Sequence, residues 1–112
     1  MNIQIFGVQK CFDTKKAERY FKERNIKYQF IDLNIKSFGK RELESIIINV
    51  KLSDLINIKS SLYDKLNIRF IRNDEIKKEI LLNNAKLCNT PIVRNGKFAT
   101  VGYKPQIWES WE

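Results

Sequence analysis

The sequence predicts an α/β protein with its elements in the order β-α-β, a helical middle and then β-β-α. Three observations carry this prediction. A strand, an amphipathic helix and a second strand follow one another with short loops over residues 3–33, which is typical of a right-handed parallel βαβ unit. Apolar residues at helical spacing fill residues 39–84. Asn95-Gly96 between two apolar runs predicts a β-hairpin.

The βαβ unit begins with a strand in which Ile3 and Ile5 share one face, and the chain is expected to leave this strand from Phe6 onwards. Asp13 and Thr14 are expected to cap the helix that follows. The buried face of that helix is predicted from residues at i, i+3 and i+4, namely Ala17, Tyr20 and Phe21. We expect the helix to end near Asn25.

The second strand is predicted over Lys27–Leu33 from its alternating pattern. Tyr28 and Phe30 fall on one face, and Ile31 and Leu33 fall on the other.

The middle of the chain is predicted to be helical. Asn73-Asp74-Glu75 is a good helix start, with acidic residues at the positive end of the helix dipole. The predicted apolar faces are Leu43, Ile46, Ile47 and Val50 in the first helix, Leu55, Ile56, Leu62, Tyr63 and Leu66 in one or two short helices, and Ile76, Ile80 and Leu81 in the last.

The last third predicts a hairpin and a closing helix. Asn-Gly is favoured in tight hairpins because both central residues of the turn need a positive φ, so Asn95 and Gly96 are expected at the centre of the turn. Pro105 suits the first position of a helix that carries Ile107, Trp108 and Trp111. We expect Trp108 and Trp111 to close the core, although an aromatic docking surface is an alternative.

Composition bounds the domain count and the chemistry. The 112 residues suit a single domain over residues 1–112, with the helices at about 39–84 as an insert. The chain has no His, which removes His-based nucleophilic catalysis, and its two Cys cannot close a tetrahedral metal site, so no metal and no bound cofactor is expected.

Charge and hydropathy limit the partners and the compartment. The net charge of +8 is spread over both halves of the chain, so direct binding to nucleic acid is not expected. No apolar run approaches the ~20 residues of a membrane span. Sparse cysteines and the absence of a signal-peptide pattern favour a cytoplasmic location.

Cys11 is the strongest candidate for chemistry because it lies in the loop between the first strand and the first helix. In α/β sheets, ligand sites lie at the carboxyl ends of strands. The unpaired N–H groups and partial positive charge of a helix N-terminus stabilise a thiolate, and Lys10, Lys15 and Lys16 add charge nearby. The alternative is a small buried cysteine without a redox role.

Two motifs at the ends of the chain carry a family resemblance. Residues 11–17 are Cys-Phe-Asp-Thr-Lys-Lys-Ala, and residues 90–93 are Thr-Pro-Ile-Val, followed by the hairpin and Val-Gly-Tyr at 101–103. In order and spacing, over essentially the whole chain, these resemble the arsenate-reductase-like family, the ArsC/Spx group. The resemblance implies a thioredoxin-like fold, with a mixed four-stranded sheet and helices around it.

The resemblance also implies roles for individual residues. Pro91 would follow a cis peptide bond beside Cys11, and Cys11 would be the redox nucleophile, with Thr14 and Lys15 stabilising its thiolate. In arsenate reductases of this type the cysteine attacks arsenate, and glutathione and glutaredoxin complete the cycle. The implied protein is therefore a thiol-dependent oxidoreductase with glutathione or another external thiol as co-substrate.

Three substitutions argue against efficient arsenate reduction. Where the family's arsenate reductases carry Arg, this chain has Lys59, Thr90 and Lys104. These residues are candidates for binding an oxyanion or a thiol, but Lys cannot reproduce the bidentate fork of Arg, and Thr carries no charge. Lys59 and Lys104 could equally be ordinary surface lysines.

The role of Cys88 and the function of the whole chain both have alternatives. Cys88 would share a face with Thr90 if the strand extends back that far, and it could then resolve an adduct on Cys11; otherwise it is a small residue in a loop.

The Spx-type members of the family bind RNA polymerase, so a non-catalytic regulator of this kind is the alternative function. A degenerate member with an idle thiol is a third possibility.

Overall fold

The computed structural model describes residues 1–112, and its elements follow the predicted order. The strands are β1 (Ile3–Gly7), β2 (Tyr28–Asp32), β3 (Ile92–Asn95) and β4 (Phe98–Val101). The helices are α1 (Phe12–Glu23), α2 (Lys40–Asn49), α3 (Leu52–Leu55), α4 (Ser61–Lys65), α5 (Asp74–Asn83) and α6 (Pro105–Glu109). Short 3-10 turns cover Ile68–Phe70 and Ala85–Leu87.

The four strands form one mixed sheet in the order β2-β1-β3-β4. β1 and β2 are parallel, while β3 is antiparallel to both β1 and β4, so the predicted thioredoxin-like α/β fold is confirmed. Because β1 and β3 run in opposite directions, the loop after β1 and the segment before β3 meet at the same end of the sheet. This is where Cys11 and Thr90 come together.

The sheet separates two groups of buried side chains. On the α1 and α6 side the core consists of Ile3, Ile5, Ala17, Tyr20, Phe21, Val93 and Trp108, with Tyr28 and Phe30 packed against it. On the other side Phe6, Leu33, Leu43, Ile46, Leu55, Leu81 and Ile92 are among the residues that pack beneath helices α2 to α5. The predicted faces of β1, α1, β2 and α2 are therefore confirmed.

Two local predictions about helices are wrong. Helix α1 begins at Phe12 with Cys11 as its N-cap, because the Lys15 N–H already donates to the Cys11 carbonyl at 3.2 Å. Asp13 and Thr14 therefore lie inside the first turn instead of capping it. In α5, Ile76 is 50% exposed, because only the last turns of this helix reach the core, through Ile80 and Leu81.

The hairpin turn is also placed differently from the prediction. Asn95 pairs with Phe98 in the β3–β4 ladder, so the two central residues are Gly96 and Lys97. Of these two, Gly96 has a positive φ, +60°, and Lys97 does not, so the turn has glycine at the first central position, as in a type II′ turn. Asn95 instead accepts a hydrogen bond on its side chain from the Asn2 N–H at 3.1 Å.

None of the helices combines the length and the apolar character that crossing a membrane requires.

Candidate functional site

Cys11 lies at the N-terminus of α1, at the carboxyl end of β1. Its backbone N–H donates to the Val8 carbonyl at 3.1 Å, which closes a turn between the strand and the helix. The side chain is partly exposed, and the cysteine is not in a disulfide. The thiol is therefore accessible and also within reach of the unpaired N–H groups of the first helical turn.

The surroundings of Cys11 favour its thiolate. Burial raises the pKa of the Cys11 thiol. Hydrogen bonds from the side chains of Thr14 and Thr90, and from the backbone N–H groups of Thr14 and Asp13, lower this pKa by more than burial raises it. The pKa therefore lies below that of an ordinary cysteine. In the neutral form the thiol donates to the Thr90 carbonyl at 3.5 Å. When the thiol is deprotonated, it no longer donates to Thr90, and its sulfur instead accepts from the donors named above.

Thr14 is packed tightly beneath this site. Its side chain is fully buried, and its hydroxyl Oγ1 has no hydrogen-bond partner while Cys11 is neutral. A Cβ at Gly7 would lie 2.6 Å from the Thr14 Cγ2 and 2.7 Å from Oγ1, so only glycine at position 7 leaves room for Thr14. An unpaired buried hydroxyl is costly, and a thiolate at Cys11 gives it an acceptor.

Replacing Thr14 by Val is expected to raise the pKa of Cys11 towards that of an ordinary cysteine. Val keeps the shape of Thr and removes the donor, so the thiolate loses a hydrogen bond while the packing against Gly7 is preserved. The pH dependence of alkylation at Cys11 measures the shift. Stability to urea is expected to stay constant or rise, since a buried unpaired hydroxyl is removed; an unchanged pKa would show that Thr14 only fills space.

Thr90 and Pro91 form the wall opposite the cysteine. The Thr90–Pro91 peptide bond is cis. The Pro91 carbonyl accepts from the Gly102 N–H at 2.8 Å, and just upstream the Asn89 side chain donates to the Asp54 carbonyl at 2.8 Å. The segment that carries Thr90 is thus attached both to the hairpin and to the helical insert.

A cleft of about 280 Å³ opens beside this wall. Its lining residues are Val8, Lys10, Asn34, Asn57, Ala85, Lys86, Cys88 and Thr90. They come from the loop after β1, the loop after β2, the loop after α3 and the segment before β3. Cys11 itself does not line the cleft, but its sulfur contacts the carbonyl of Thr90, and both Lys10 and Thr90 line the cleft.

Of the lysines predicted from the sequence, Lys15, Lys59 and Lys104 do not line this cleft, whereas Lys10 does. The ammonium group of Lys15 lies 6.0 Å from the centre of the Phe12 ring, and the lowered pKa of Cys11 arises from hydrogen bonds and not from the Lys15 charge. Lys59 is exposed in the loop after α3, and Lys104 is the exposed N-cap of α6. Neither Lys59 nor Lys104 lines the cleft.

The sequence reasoning missed Lys86, Asn34 and Asn57, and it considered Lys10 only as a nearby charge. Asn34 follows β2 closely, so the rule that ligands bind at the carboxyl ends of strands could have pointed to it. No spacing in the sequence indicates that Asn57 and Lys86 approach the loop after β1.

Cys88 does not lie on the strand that was considered for it. β3 begins at Ile92, and Cys88 instead makes an isolated bridge to Ile56, so it does not share a strand face with Thr90. It is 5% exposed, and burial raises the pKa of its thiol to about 12. The two cysteines are therefore unequal: Cys11 is partly exposed with a lowered pKa, whereas Cys88 is buried at the wall of the cleft with a raised pKa.

The structure contains no cluster of side chains suited to binding a metal ion. Nowhere do three or more His, Cys, Asp or Glu side chains converge in a way that could hold an ion. The groups that the site does bring together are one thiol, its hydrogen-bond donors and the cleft beside it.

The fold and the site define a thioredoxin-like α/β protein with a cysteine at the N-terminus of its first helix. The model of the ArsC family matches residues 6–111, and the chain belongs to that family.

Solved structures share the fold, and a sequence relative is similar over most of the chain. An ArsC family related protein from Bacteroides fragilis superposes with a TM-score of 0.88 at 24% identity, covering 100% of this chain and 98% of that one. An arsenate reductase from Vibrio cholerae gives 0.87 at 23% identity, with 97% of each chain covered. The global transcriptional regulator Spx 2 of Oceanobacillus iheyensis is 28% identical over 92% of this chain and 78% of its own length.

Proposed function

We propose that this protein is a thiol-dependent oxidoreductase that uses Cys11 as its single nucleophile and glutathione or another external thiol as co-substrate. The observation that carries the proposal is the position of Cys11, partly exposed at the N-terminus of α1 with a pKa below that of an ordinary cysteine. The thiolate is the reactive form of a cysteine, and such surroundings are typical of reactive ones.

The proposed exchange follows from this geometry. The Cys11 thiolate attacks one sulfur of a disulfide, a new S–S bond forms to Cys11, and the other sulfur leaves as a thiolate. A second external thiolate then attacks the mixed disulfide and regenerates the Cys11 thiolate. The N–H groups of Asp13 and Thr14 and the Thr14 hydroxyl stabilise the anion at the start and the end of the cycle.

An oxyanion is the alternative substrate of the same thiol. The Vibrio cholerae relative is an arsenate reductase. The resemblance described under Sequence analysis implies oxyanion contacts at the positions of Lys59, Thr90 and Lys104. The Thr90 carbonyl contacts the Cys11 sulfur, whereas neither lysine is among the lining residues of the cleft. We therefore propose disulfide exchange as the main activity and weak arsenate reduction at most.

One assay separates these substrates. The protein is incubated with glutathione, glutathione reductase and NADPH, and NADPH oxidation is followed after adding either a small disulfide or arsenate, with and without glutaredoxin. Turnover with the disulfide that exceeds turnover with arsenate supports the proposal. Turnover with arsenate alone would overturn the assignment of the substrate and leave the thiol chemistry in place.

A second candidate function is supported by the match to Spx 2, a transcriptional regulator. In this reading the protein binds RNA polymerase, and its net charge of +8 steers it towards an acidic surface of the enzyme. The second Cys of the Spx-type Cys-x-x-Cys is Thr14 here, so a switch within the loop is absent. Capture of RNA polymerase by the tagged protein, with and without oxidant, together with no turnover in the assay above, would favour this function.

A further inference from the structure

The cleft beside Cys11 carries positive charge and no negative charge. Lys10 and Lys86 are its two ionic residues, Asn34 and Asn57 supply amide groups, and no Asp or Glu lines it. A concave site with a few polar groups of one charge sign selects ligands of the opposite sign. The lining therefore favours an anion.

The cleft is held in place by backbone hydrogen bonds between the helical insert and the segment before β3. The Asn57 N–H donates to the Leu87 carbonyl at 2.8 Å, and the Asn89 N–H donates to the Leu55 carbonyl at 2.7 Å. These bonds fix the loop that carries Asn57 against the segment that carries Lys86. The charged wall is thus a preformed part of the fold.

We propose that this cleft binds the carboxylate of a small acidic disulfide or thiol and aligns its sulfur with Cys11, with Lys10 and Lys86 as the residues that determine specificity. The inference rests on the proposed thiol-exchange function and assigns its substrate class. Cys11 attacks the disulfide, a mixed disulfide forms, and the acidic half that leaves departs as a thiolate.

The size and chemistry of the cleft favour a small carboxylate over a tetrahedral oxyanion or a protein. At about 280 Å³ it is close to the lower end of small-molecule sites, roughly 300–1,000 Å³. Lys is a point charge that pairs with a single carboxylate oxygen, whereas Arg suits bidentate binding of an oxyanion, and no Arg lines the cleft. An acidic protein partner would instead be attracted by the net positive charge of the whole molecule, and would not need this cleft.

A charge series of small disulfides tests the proposal. Dithiodipropionate carries two carboxylates, dihydroxyethyl disulfide is neutral and cystamine carries two amines, while the three are similar in size. The rate at which each forms a mixed disulfide with Cys11 is measured by mass spectrometry on the full chain. The Lys10→Gln/Lys86→Gln variant is compared with a matched control, Lys27→Gln/Lys97→Gln, which removes the same charge from exposed positions at the opposite end of the sheet.

The cleft variant is expected to react about tenfold more slowly with dithiodipropionate, within about twofold of the native rate with the neutral disulfide, and faster with cystamine. The control variant is expected to change the dithiodipropionate rate by no more than about twofold. Equal slowing in both variants would overturn the proposal, because the net charge would then be responsible.

The neutral disulfide distinguishes failure of the site from failure of the function. If it labels Cys11 and the cleft lysines have no effect on dithiodipropionate, the carboxylate site is wrong and the thiol exchange stands. If the cleft variant slows the neutral disulfide as much as the anionic one, the lysines act on the thiol itself and the specificity assignment is wrong. If no disulfide labels Cys11, both proposals fall.

Discussion

Replacing Cys11 by Ser is expected to reduce disulfide turnover to the background rate, a loss of at least about 10³-fold. A serine hydroxyl is not ionised near neutral pH and has no thiol–disulfide chemistry, so the hydrogen bonds around position 11 have no thiolate to stabilise. The measurement is NADPH oxidation coupled to glutathione reductase, with a small disulfide as substrate. Because Cys11 is partly exposed, the circular dichroism spectrum and urea midpoint should stay close to those of the native protein.

The matched variant is Cys88→Ala, which removes the other thiol. Cys88 is buried and the pKa of its thiol is raised to about 12, so the cycle is expected to proceed without it. Loss of a buried sulfur lowers stability modestly, and the assay is therefore run at a temperature where both variants are folded. Full turnover by Cys11→Ser, or a turnover that depends on Cys88, would contradict a one-cysteine mechanism.

Replacing Trp108 by Ala is expected to lower the free energy of unfolding by about 3–5 kcal/mol, a large part of the ~5–15 kcal/mol typical of a domain. Trp108 is fully buried on α6, with ring centres of Tyr20 and Phe21 both at 5.3 Å. Its Nε1–H donates to the Thr100 hydroxyl at 2.8 Å. The variant opens a cavity and also leaves a buried hydroxyl without its donor.

Urea unfolding followed by circular dichroism measures this loss. Ile107→Ala on the same helix is the control, because Ile107 is 45% exposed and its truncation is expected to cost no more than about 0.5 kcal/mol. Trp108→Phe should fall between the two, since it keeps an aromatic ring and loses the hydrogen bond. A loss below about 1.5 kcal/mol for Trp108→Ala would show that α6 contributes little to the core. The complete burial of Trp108 already rules it out as an exposed docking residue.

The elements of the fold could be predicted because apolar periodicity reports burial directly. The alternation of β2 and the i, i+3, i+4 pattern of α1 correspond to faces that the structure does bury. The local details depend on tertiary contacts that a single segment does not contain. The hairpin register is fixed by the pairing of Asn95 with Phe98 in the sheet, and Ile76 is exposed because α5 meets the core only at its end.

The site was predictable to the extent that it is local. Cys11 could be found because the strand, the loop and the helix that define its surroundings are contiguous in the sequence. Thr90 and Pro91 entered through the family resemblance; the Thr90 carbonyl does contact the Cys11 thiol, and the Thr90–Pro91 peptide bond is cis. Lys86 and Asn57 could not be found, because they reach the cleft through hydrogen bonds between distant loops, which leave no periodic or spacing signal.

The central claim, that Cys11 is an activated thiolate, is tested most directly by the pH dependence of its alkylation. Iodoacetamide reacts with the thiolate, so the rate at Cys11 rises with pH and levels off above the pKa of the thiol. Cys88, with a pKa of about 12, stays unlabelled over the same range and serves as an internal control. We predict a midpoint for Cys11 below the value of about 8.5 of a free cysteine. A midpoint at or above about 8.5 would contradict the account.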